Sequence, residues 1–515
     1  MSGVLMLSLS AVIVKIIGLI YKIPMLRLLG SEGMGYFNSA YEVYTLFCTV
    51  ATTGMPVAMS VMISSGRDDV YSERVFKVAF RLFAVLGLCM CGIMLAISRP
   101  YAAFLGGEGA LLSLMAIAPT VLLICITSAY RGFFQGGGRM APTAISQIIE
   151  AGGKLVLGLS FAYIALISGK STSVVAAYAA LGLTLGSALS TAYLILAKKR
   201  AEVSEAVCTS GQGERILPRL LRLSVPVSLS SAVMSLTKII DMTLILRRLQ
   251  AFGEDSASAF AAYGNYTTLA LPLFGIAPAF VGAVALPLIP ELSGAVAKGD
   301  REGERRAVSD SIRLTTCISM PVSVGLVMFS RPILELLFRG ETEAIESSSP
   351  LLALLGFSVT LSCLVTVTNA ILQAYSSPAI PILSMIMGSG AKIVLAYILI
   401  GNPRIGLVGA PISTFACDLV INLVNLAFIS RKMKEMPKIS KILLPQLLSA
   451  AISVCGARVL YNVMKARSGA SSGITLLSIA IAACVYLTLA FALGALRKED
   501  IPFVNKKNII IKKDE

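Results

Sequence analysis

Apolar windows about twenty residues long fill nearly the whole of this 515-residue chain, and that is the length a helix needs to cross a bilayer. About fourteen such windows lie between residues 4 and 496, most of them joined by short connections. A backbone in lipid must satisfy its own hydrogen bonds, so these windows predict transmembrane helices. With 56% hydrophobic and 14% charged residues, the composition agrees. We predict an all-α polytopic membrane protein with about fourteen transmembrane helices.

The basic residues set the expected orientation. Lys and Arg number 44 against 28 Asp and Glu, and they concentrate in the connections on the same side as the N-terminus. By the positive-inside rule, both termini are then cytoplasmic. The basic residues are spread over separate short loops without interleaved aromatic residues, which argues against a nucleic-acid partner.

The composition argues against a metal site and against an enzyme active site. Histidine is absent, and the ten cysteines lie almost all in apolar runs without the spacing of a zinc site or a disulfide framework. We therefore predict no metal, no cofactor and no catalytic residues. A membrane-embedded glycan-processing enzyme is the least favoured interpretation, because the chain offers no nucleophile-base pair and no loop domain.

An internal duplication predicts the domain organisation. A shift of 238 residues places Arg131–Leu157 on Asn369–Leu395, with identities that include Gln135/Gln373 and Lys154/Lys392. Six spans per repeat would give two lobes in the same orientation, a parallel pseudo-repeat with the substrate site between the lobes. The predicted divisions are an N-terminal lobe (1–200), a cytoplasmic linker (201–217), a C-terminal lobe (218–435), and spans thirteen and fourteen with a basic cytoplasmic tail (436–515).

Lysines inside the apolar windows are the candidate substrate-binding residues. A lysine at the bilayer centre costs roughly 2.5–3.5 kcal/mol on insertion scales, so such residues usually face a cavity. An excess of cations there favours an anionic substrate. The predicted cationic cavity comprises Lys15, Lys22, Lys154, Lys238 and Lys392.

Each lysine also has a structural interpretation. Lys15 can form a structural ion pair, and Lys22 can extend to the outer interface. Lys154 and Lys238 lie one helical turn from Glu150 and Asp241, so each can pair within its own helix. Lys392 is either a cavity cation or the partner of Asp418.

The intramembrane acidic residues have two open roles, ion coupling or helix pairing. On the twelfth span, Asp418, Asn422 and Asn425 follow an i, i+4, i+7 pattern. Such a stripe binds Na⁺ or carries a proton, or else it pairs helices through hydrogen bonds. The candidates for either role are Glu42, Glu150, Asp241, Asp418 and Asn422.

Two segments carry a family resemblance. They are VKIIGLIYKIPMLRLLGSEGMGYFNSAYEVY, from Val14 to Tyr44, and RGFFQGGGRMAPTAISQIIE, from Arg131 to Glu150. We place the glycines of the second segment, with Arg131, in a tight inner turn between spans four and five. These segments resemble the polysaccharide-transporter and stage V sporulation protein B-like branch of the multidrug/oligosaccharidyl-lipid/polysaccharide flippase superfamily, which is related to the lipid II flippases.

The resemblance implies a flippase and a Gram-positive, endospore-forming type of source. The cargo would be an undecaprenyl-pyrophosphate-linked cell-envelope precursor, either lipid II or a polysaccharide repeat unit, crossing the cytoplasmic membrane by alternating access. The lipid II flippases keep essential arginines in a cationic cavity, and Lys15 and Lys22 occupy the corresponding stretch here. The expected partners are the lipid-linked glycan, membrane lipids and Na⁺ or H⁺ as coupling ion, and the expected state is a monomer. The alternative is a cation-coupled multidrug exporter of the same superfamily.

Overall fold

The computed structural model describes residues 3–65, 69–201, 216–251, 253–285, 288–375, 377, 379–433, 437, 439–468, 472–494 and 496. Every regular element in these ranges is helical, and the chain divides into two compact units, Met1–Thr268 and Leu269–Glu515. Most of the predicted linker and most of the predicted basic tail lie outside the described residues. The predicted lobe boundaries remain a prediction.

The first unit contains eight α-helices and the start of a π-helix. Its elements are α1 (Gly3–Thr52), α2 (Gly54–Ser65), α3 (Asp69–Phe104), α4 (Gly109–Gly136), α5 (Met140–Ile167), α6 (Thr172–Ala201), α7 (Ile216–Ala251), α8 (Ser256–Asn265) and the π-helix Tyr266–Ala270.

Helix α1 changes direction at Gly30, which has a φ of 66°. Glycine adopts this left-handed conformation without the steric cost of a Cβ atom. The two arms of α1 thereby carry the first predicted span and most of the second.

Close glycine contacts hold α5 against α6. A Cβ atom added at Gly182 would lie 2.2 Å from the Cα of Gly158, and one added at Gly153 would lie 2.6 Å from the Cα of Gly186. Small residues let two helix backbones approach closely, which is the usual packing solution where lipid provides no hydrophobic driving force. This contact fixes the face of α5 that lies opposite α6.

The second unit is built on α12. Its α-helices are α9 (Leu271–Phe274), α10 (Ile276–Ala285), α11 (Leu288–Lys298), α12 (Arg301–Leu337), α13 (Thr342–Ala374), α14 (Ala379–Ile400), α15 (Gly409–Lys432), α16 (Ile439–Ser468) and α17 (Ser472–Ala492), with a short 3₁₀ turn at Gly406–Val408. Helices α16 and α17, the two additional C-terminal spans, pack on α12. There Phe329 contacts Tyr461, and the Tyr486 hydroxyl donates to the Cys317 carbonyl.

Eleven helical stretches of the described residues are long and apolar enough to cross a membrane. One of them, Ile13–Ser64, holds two of the predicted spans. The predicted class, an all-α polytopic membrane protein, is confirmed. The number fourteen is compatible with these helices but is not established by them.

Candidate functional site

A cavity of about 400 Å³ lies within the first unit. Ligand sites in proteins are typically of this size, roughly 300–1,000 Å³. Helices α1, α4, α5 and α6 form its wall, and the charged residues on that wall are Lys15, Arg131, Glu150 and Lys154. Three cations and one carboxylate leave a formal excess of two positive charges.

Helix α1 brings Lys15 to the cavity together with three tyrosines. The Lys15 side chain is exposed. Gly18, on the same helix, also lines the cavity. The aromatic residues of the wall are Tyr21, Tyr41 and Tyr44, the last two from the second arm of α1. The turn at Gly30 therefore lets a single helix supply both a cation and an aromatic surface.

Aromatic rings surround the Lys154 ammonium. Its Nζ atom lies 4.4 Å from the ring centre of Tyr41, 4.9 Å from that of Tyr21 and 5.7 Å from that of Phe37. The negative face of an aromatic ring attracts a cation, with an energy of about 2 kcal/mol when the contact is desolvated. Lys154 thus packs in the cavity wall against aromatic rings of α1.

Arg131 has a different environment. Its Nη2 atom lies 2.8 Å from Oε2 of Glu150, and its Nε donates to Oγ of Ser146 at 3.0 Å. The side chains of Arg131 and Glu150 are 13% and 20% exposed. The structure therefore pairs Glu150 with Arg131 on a neighbouring helix, a partner that its one-turn spacing from Lys154 did not predict.

The predicted position of Arg131 in an inner turn is wrong. Helix α4 continues to Gly136, so Arg131 lies inside the helix and reaches the cavity. Sequence reasoning ended the span too early because a charged residue near a glycine run resembles a loop. The signal was available, since Arg131 begins the most family-specific segment of the chain.

Two further predicted residues, Lys22 and Glu42, belong to the first unit but not to the lining of this cavity. The Lys22 ammonium donates to the carbonyl of Thr267 at 2.7 Å, inside the π-helix, and the charge of Glu42 acts on Lys22. The amide of Asn38 donates to the hydroxyls of Thr267 and Thr268. Lys22 therefore joins α1 to the π-helix and is not among the residues that line the cavity.

Helix α7 carries the next predicted pair. Lys238 has an exposed side chain, whereas Asp241 is partly buried. Neither residue belongs to the lining of the cavity described above. Their proposed roles in substrate binding and ion coupling stay predictions.

The remaining candidates lie in the second unit. The charge of Lys392 on α14 acts on Asp418 on α15. One Asp418 oxygen is buried and has no hydrogen-bond partner among the described residues. The Asn422 amide donates to the carbonyls of Leu361 and Asp418, at 2.9 and 2.8 Å. Asn425 donates to the side chains of Thr368 and Asn369. The bond to Leu361 and the Asn425 bonds join α15 to α13, as expected of helix-pairing residues.

Among the residues that the structure describes, no group of three or more Cys, Asp or Glu is placed to hold a metal ion. The chemistry available in the cavity is instead electrostatic and aromatic. Ammonium and guanidinium groups bind phosphate oxygens, and tyrosines offer ring faces and hydroxyls. Such a wall suits an anion attached to a polar, ring-containing group.

Comparison with known families decides the classification. The model of the family described as "Polysaccharide biosynthesis protein" matches residues 1–293, more than half of the chain. The chain belongs to this polysaccharide biosynthesis protein family. A second family, MatE, matches residues 226–398.

Relatives of this chain come from Bacillus subtilis (strain 168). It is 25% identical to the uncharacterized membrane protein YabM over 100% of this chain and 97% of the relative. It is 24% identical to stage V sporulation protein B, covering 97% of this chain and 96% of the relative. It is 25% identical to lipid II flippase MurJ, covering 76% of each. These relatives confirm the family branch predicted from the sequence.

Solved structures share the fold of this chain. The lipid II flippase MurJ in an inward closed conformation superposes with a TM-score of 0.71 at 16% identity, covering 94% of this chain and 98% of that one. A multidrug resistance MATE family transporter in an inward-facing conformation gives 0.64 at 17% identity, covering 81% and 98%. At these identities the likeness establishes the fold alone.

Proposed function

We propose that this protein is a flippase for an undecaprenyl-pyrophosphate-linked cell-envelope precursor, either lipid II or a polysaccharide repeat unit. The pyrophosphate and the sugar would pass through the cationic cavity by alternating access while the polyprenyl chain stays in lipid. The observation that carries this proposal is the common position of Lys15, Arg131 and Lys154 on one cavity wall with a single carboxylate. The named relatives support it, since they include a lipid II flippase and a sporulation protein.

Phosphate binding has a clear physical basis in this cavity. A lipid pyrophosphate carries about two negative charges, and the wall carries a matching formal excess of two positive charges. The partly buried cations Arg131 and Lys154 attract an anion more strongly than they would in water, because the dielectric constant of the wall is lower. Lys22, Lys238 and Lys392 remain further candidates for the path of the phosphate group.

The alternative is a cation-coupled multidrug exporter. The MatE match over residues 226–398 and the fold of the MATE transporter favour it. An exporter of cationic compounds needs an acidic site, however, because a buried cation is stabilised by a nearby carboxylate. The excess of cations in the described cavity favours the flippase instead.

The setting belongs to the same proposal. We infer a monomer in a bacterial cytoplasmic membrane, with both termini cytoplasmic as the distribution of Lys and Arg indicates. Transport requires no covalent chemistry, so the protein would not act as an enzyme. Its energy would come from the membrane potential or from Na⁺ or H⁺, with Glu42, Asp241 and Asp418 as candidate coupling residues.

Depletion of the protein in its own cells tests this function. We expect a lipid-linked glycan precursor to accumulate on the cytoplasmic leaflet, measured by extraction and mass spectrometry, with access from outside probed by a membrane-impermeant reagent. Re-expression of the wild-type chain should clear it. If no lipid-linked precursor accumulates, and the cells instead retain cationic dyes, the exporter becomes the better assignment.

A further inference from the structure

The one carboxylate among the described lining residues of the cavity is bonded to an arginine of another helix. Glu150 and Lys154 are one helical turn apart on α5, yet the Glu150 carboxylate bonds to Arg131 on α4. Lys154 lies over aromatic rings. Among the residues that the structure describes, Arg131 is paired with an anion, whereas Lys15 and Lys154 have no carboxylate at ion-pair distance.

Serine side chains hold Arg131 independently of Glu150. Ser146 on α5 accepts from Nε at 3.0 Å, and Ser190 on α6 accepts from Nη2 at 3.5 Å. Ser190 in turn donates to the Ser146 carbonyl at 2.9 Å. The guanidinium would thus keep its position if the carboxylate moved away, which leaves its free edge available to another anion.

The negative charge of Glu150 affects several other residues of the cavity wall. Its charge acts on Lys154, Tyr41 and Tyr44 as well as on its partner Arg131. A carboxylate and a phosphate oxygen make the same kind of bidentate or single bond with a guanidinium. Glu150 and the phosphate group of a substrate would consequently compete for Arg131.

We propose that Glu150 is a positioning residue, an internal counter-anion that occupies Arg131 when the cavity is empty and displaces the substrate's phosphate at release. The inference rests on the proposed function, because it assumes a phosphate-bearing substrate in this cavity. Tight binding of the ground state would slow release, so a competing anion speeds turnover at the expense of affinity.

The test is the variant Glu150→Gln in the full-length protein in lipid nanodiscs. Glutamine keeps the shape of the side chain and a neutral hydrogen bond to Arg131, but it no longer competes as an anion. With farnesyl pyrophosphate as probe, we expect the affinity to rise about tenfold. The reason is that the side chain at position 150 no longer makes a charge-assisted hydrogen bond with Arg131, so it competes less with the probe. Translocation of a lipid-linked precursor at saturating concentration should slow, with a lower half-saturating concentration.

A second variant and a control separate this role from a structural one. Adding Arg131→Gln to the Glu150→Gln protein should abolish the gain in affinity, because Arg131 is the group set free. The control is Glu73→Gln, which removes a partly buried carboxylate paired with Lys198 at 2.8 Å, a pair absent from the cavity lining. Its probe affinity should stay within about twofold of wild type.

The results divide cleanly. Unchanged or weaker probe binding by a folded Glu150→Gln protein overturns the inference. If the ion pair were purely structural, its loss would lower the stability of the protein without raising its affinity for the probe. If that variant does not fold, Glu150→Asp replaces it: the shorter carboxylate reaches Arg131 less well and competes less, so probe binding should tighten by less than for Glu150→Gln, and unchanged or weaker binding overturns the inference. Failure of the wild-type protein to bind the probe would instead count against the proposed function.

Discussion

The ammonium of Lys154 lies 4.4 Å from the ring centre of Tyr41, on the wall of the cavity in the first unit. A lysine in an apolar helix is normally stabilised by a carboxylate, which cancels its charge. Aromatic rings stabilise the ammonium without cancelling it. This relationship explains how one helical turn can hold both Glu150, bonded to Arg131, and a lysine whose ammonium packs on aromatic rings.

Replacing Tyr41 with leucine should lower the affinity of the cavity for an anion. The Lys154 ammonium would lose its nearest ring, worth about 1–2 kcal/mol, and would be held less well toward the cavity. We expect about a tenfold loss in translocation of a lipid-linked precursor by proteoliposomes, since 1.4 kcal/mol corresponds to a factor of ten. Tyr41→Phe keeps the ring and should retain most of the activity. Equal losses in both variants would show that the hydroxyl, and not the ring, matters.

Helix packing in the first unit depends on small residues. Gly182→Ala would place a Cβ atom 2.2 Å from the Cα of Gly158, so α5 and α6 must separate. We expect a loss of about 1–3 kcal/mol in stability, seen as a lower unfolding temperature in detergent. The matched control is Gly152→Ala on α5, which meets nothing within 4 Å and should be neutral. A neutral Gly182→Ala would contradict this packing.

Lys392 and Asp418 should behave as a coupled pair. The charge of Lys392 acts on Asp418, one of whose oxygens is buried and finds no hydrogen-bond partner in the part of the chain that the structure describes. Lys392→Met would remove that compensation, at a cost of about 2 kcal/mol for a partly buried carboxylate. The double variant Lys392→Met/Asp418→Asn should recover most of the stability, measured by thermal unfolding. Simply additive losses would mean that the two side chains do not depend on each other.

Sequence reasoning predicted the features that depend on local pattern. Apolar windows identified the helices, and the lysines within them included Lys15 and Lys154, which line the cavity. Both features follow from the free-energy cost of placing polar groups in lipid. This cost can be judged from the residues of each apolar window alone, without knowledge of its neighbours.

It missed the relationships that depend on contacts between helices. Glu150 pairs with Arg131, nineteen positions away, and Lys22 donates to a carbonyl of Thr267, 245 positions away. Helical spacing compares residues three or four apart, so it considered only Lys154 as a partner for Glu150. The π-helix that accepts from Lys22 has no distinctive sequence period.

The most direct test of the cationic cavity reverses its charge. Proteoliposomes containing Lys154→Glu would be compared with wild type and with Lys170→Glu, whose exposed side chain lies in the α5–α6 connection, away from the cavity lining. The measurement is the appearance of a fluorescent lipid-linked precursor in the opposite leaflet. We predict a loss of at least about a hundredfold for Lys154→Glu, since like-charge contact costs several kcal/mol, and near-normal rates for Lys170→Glu. Wild-type translocation by the folded Lys154→Glu protein would contradict the account.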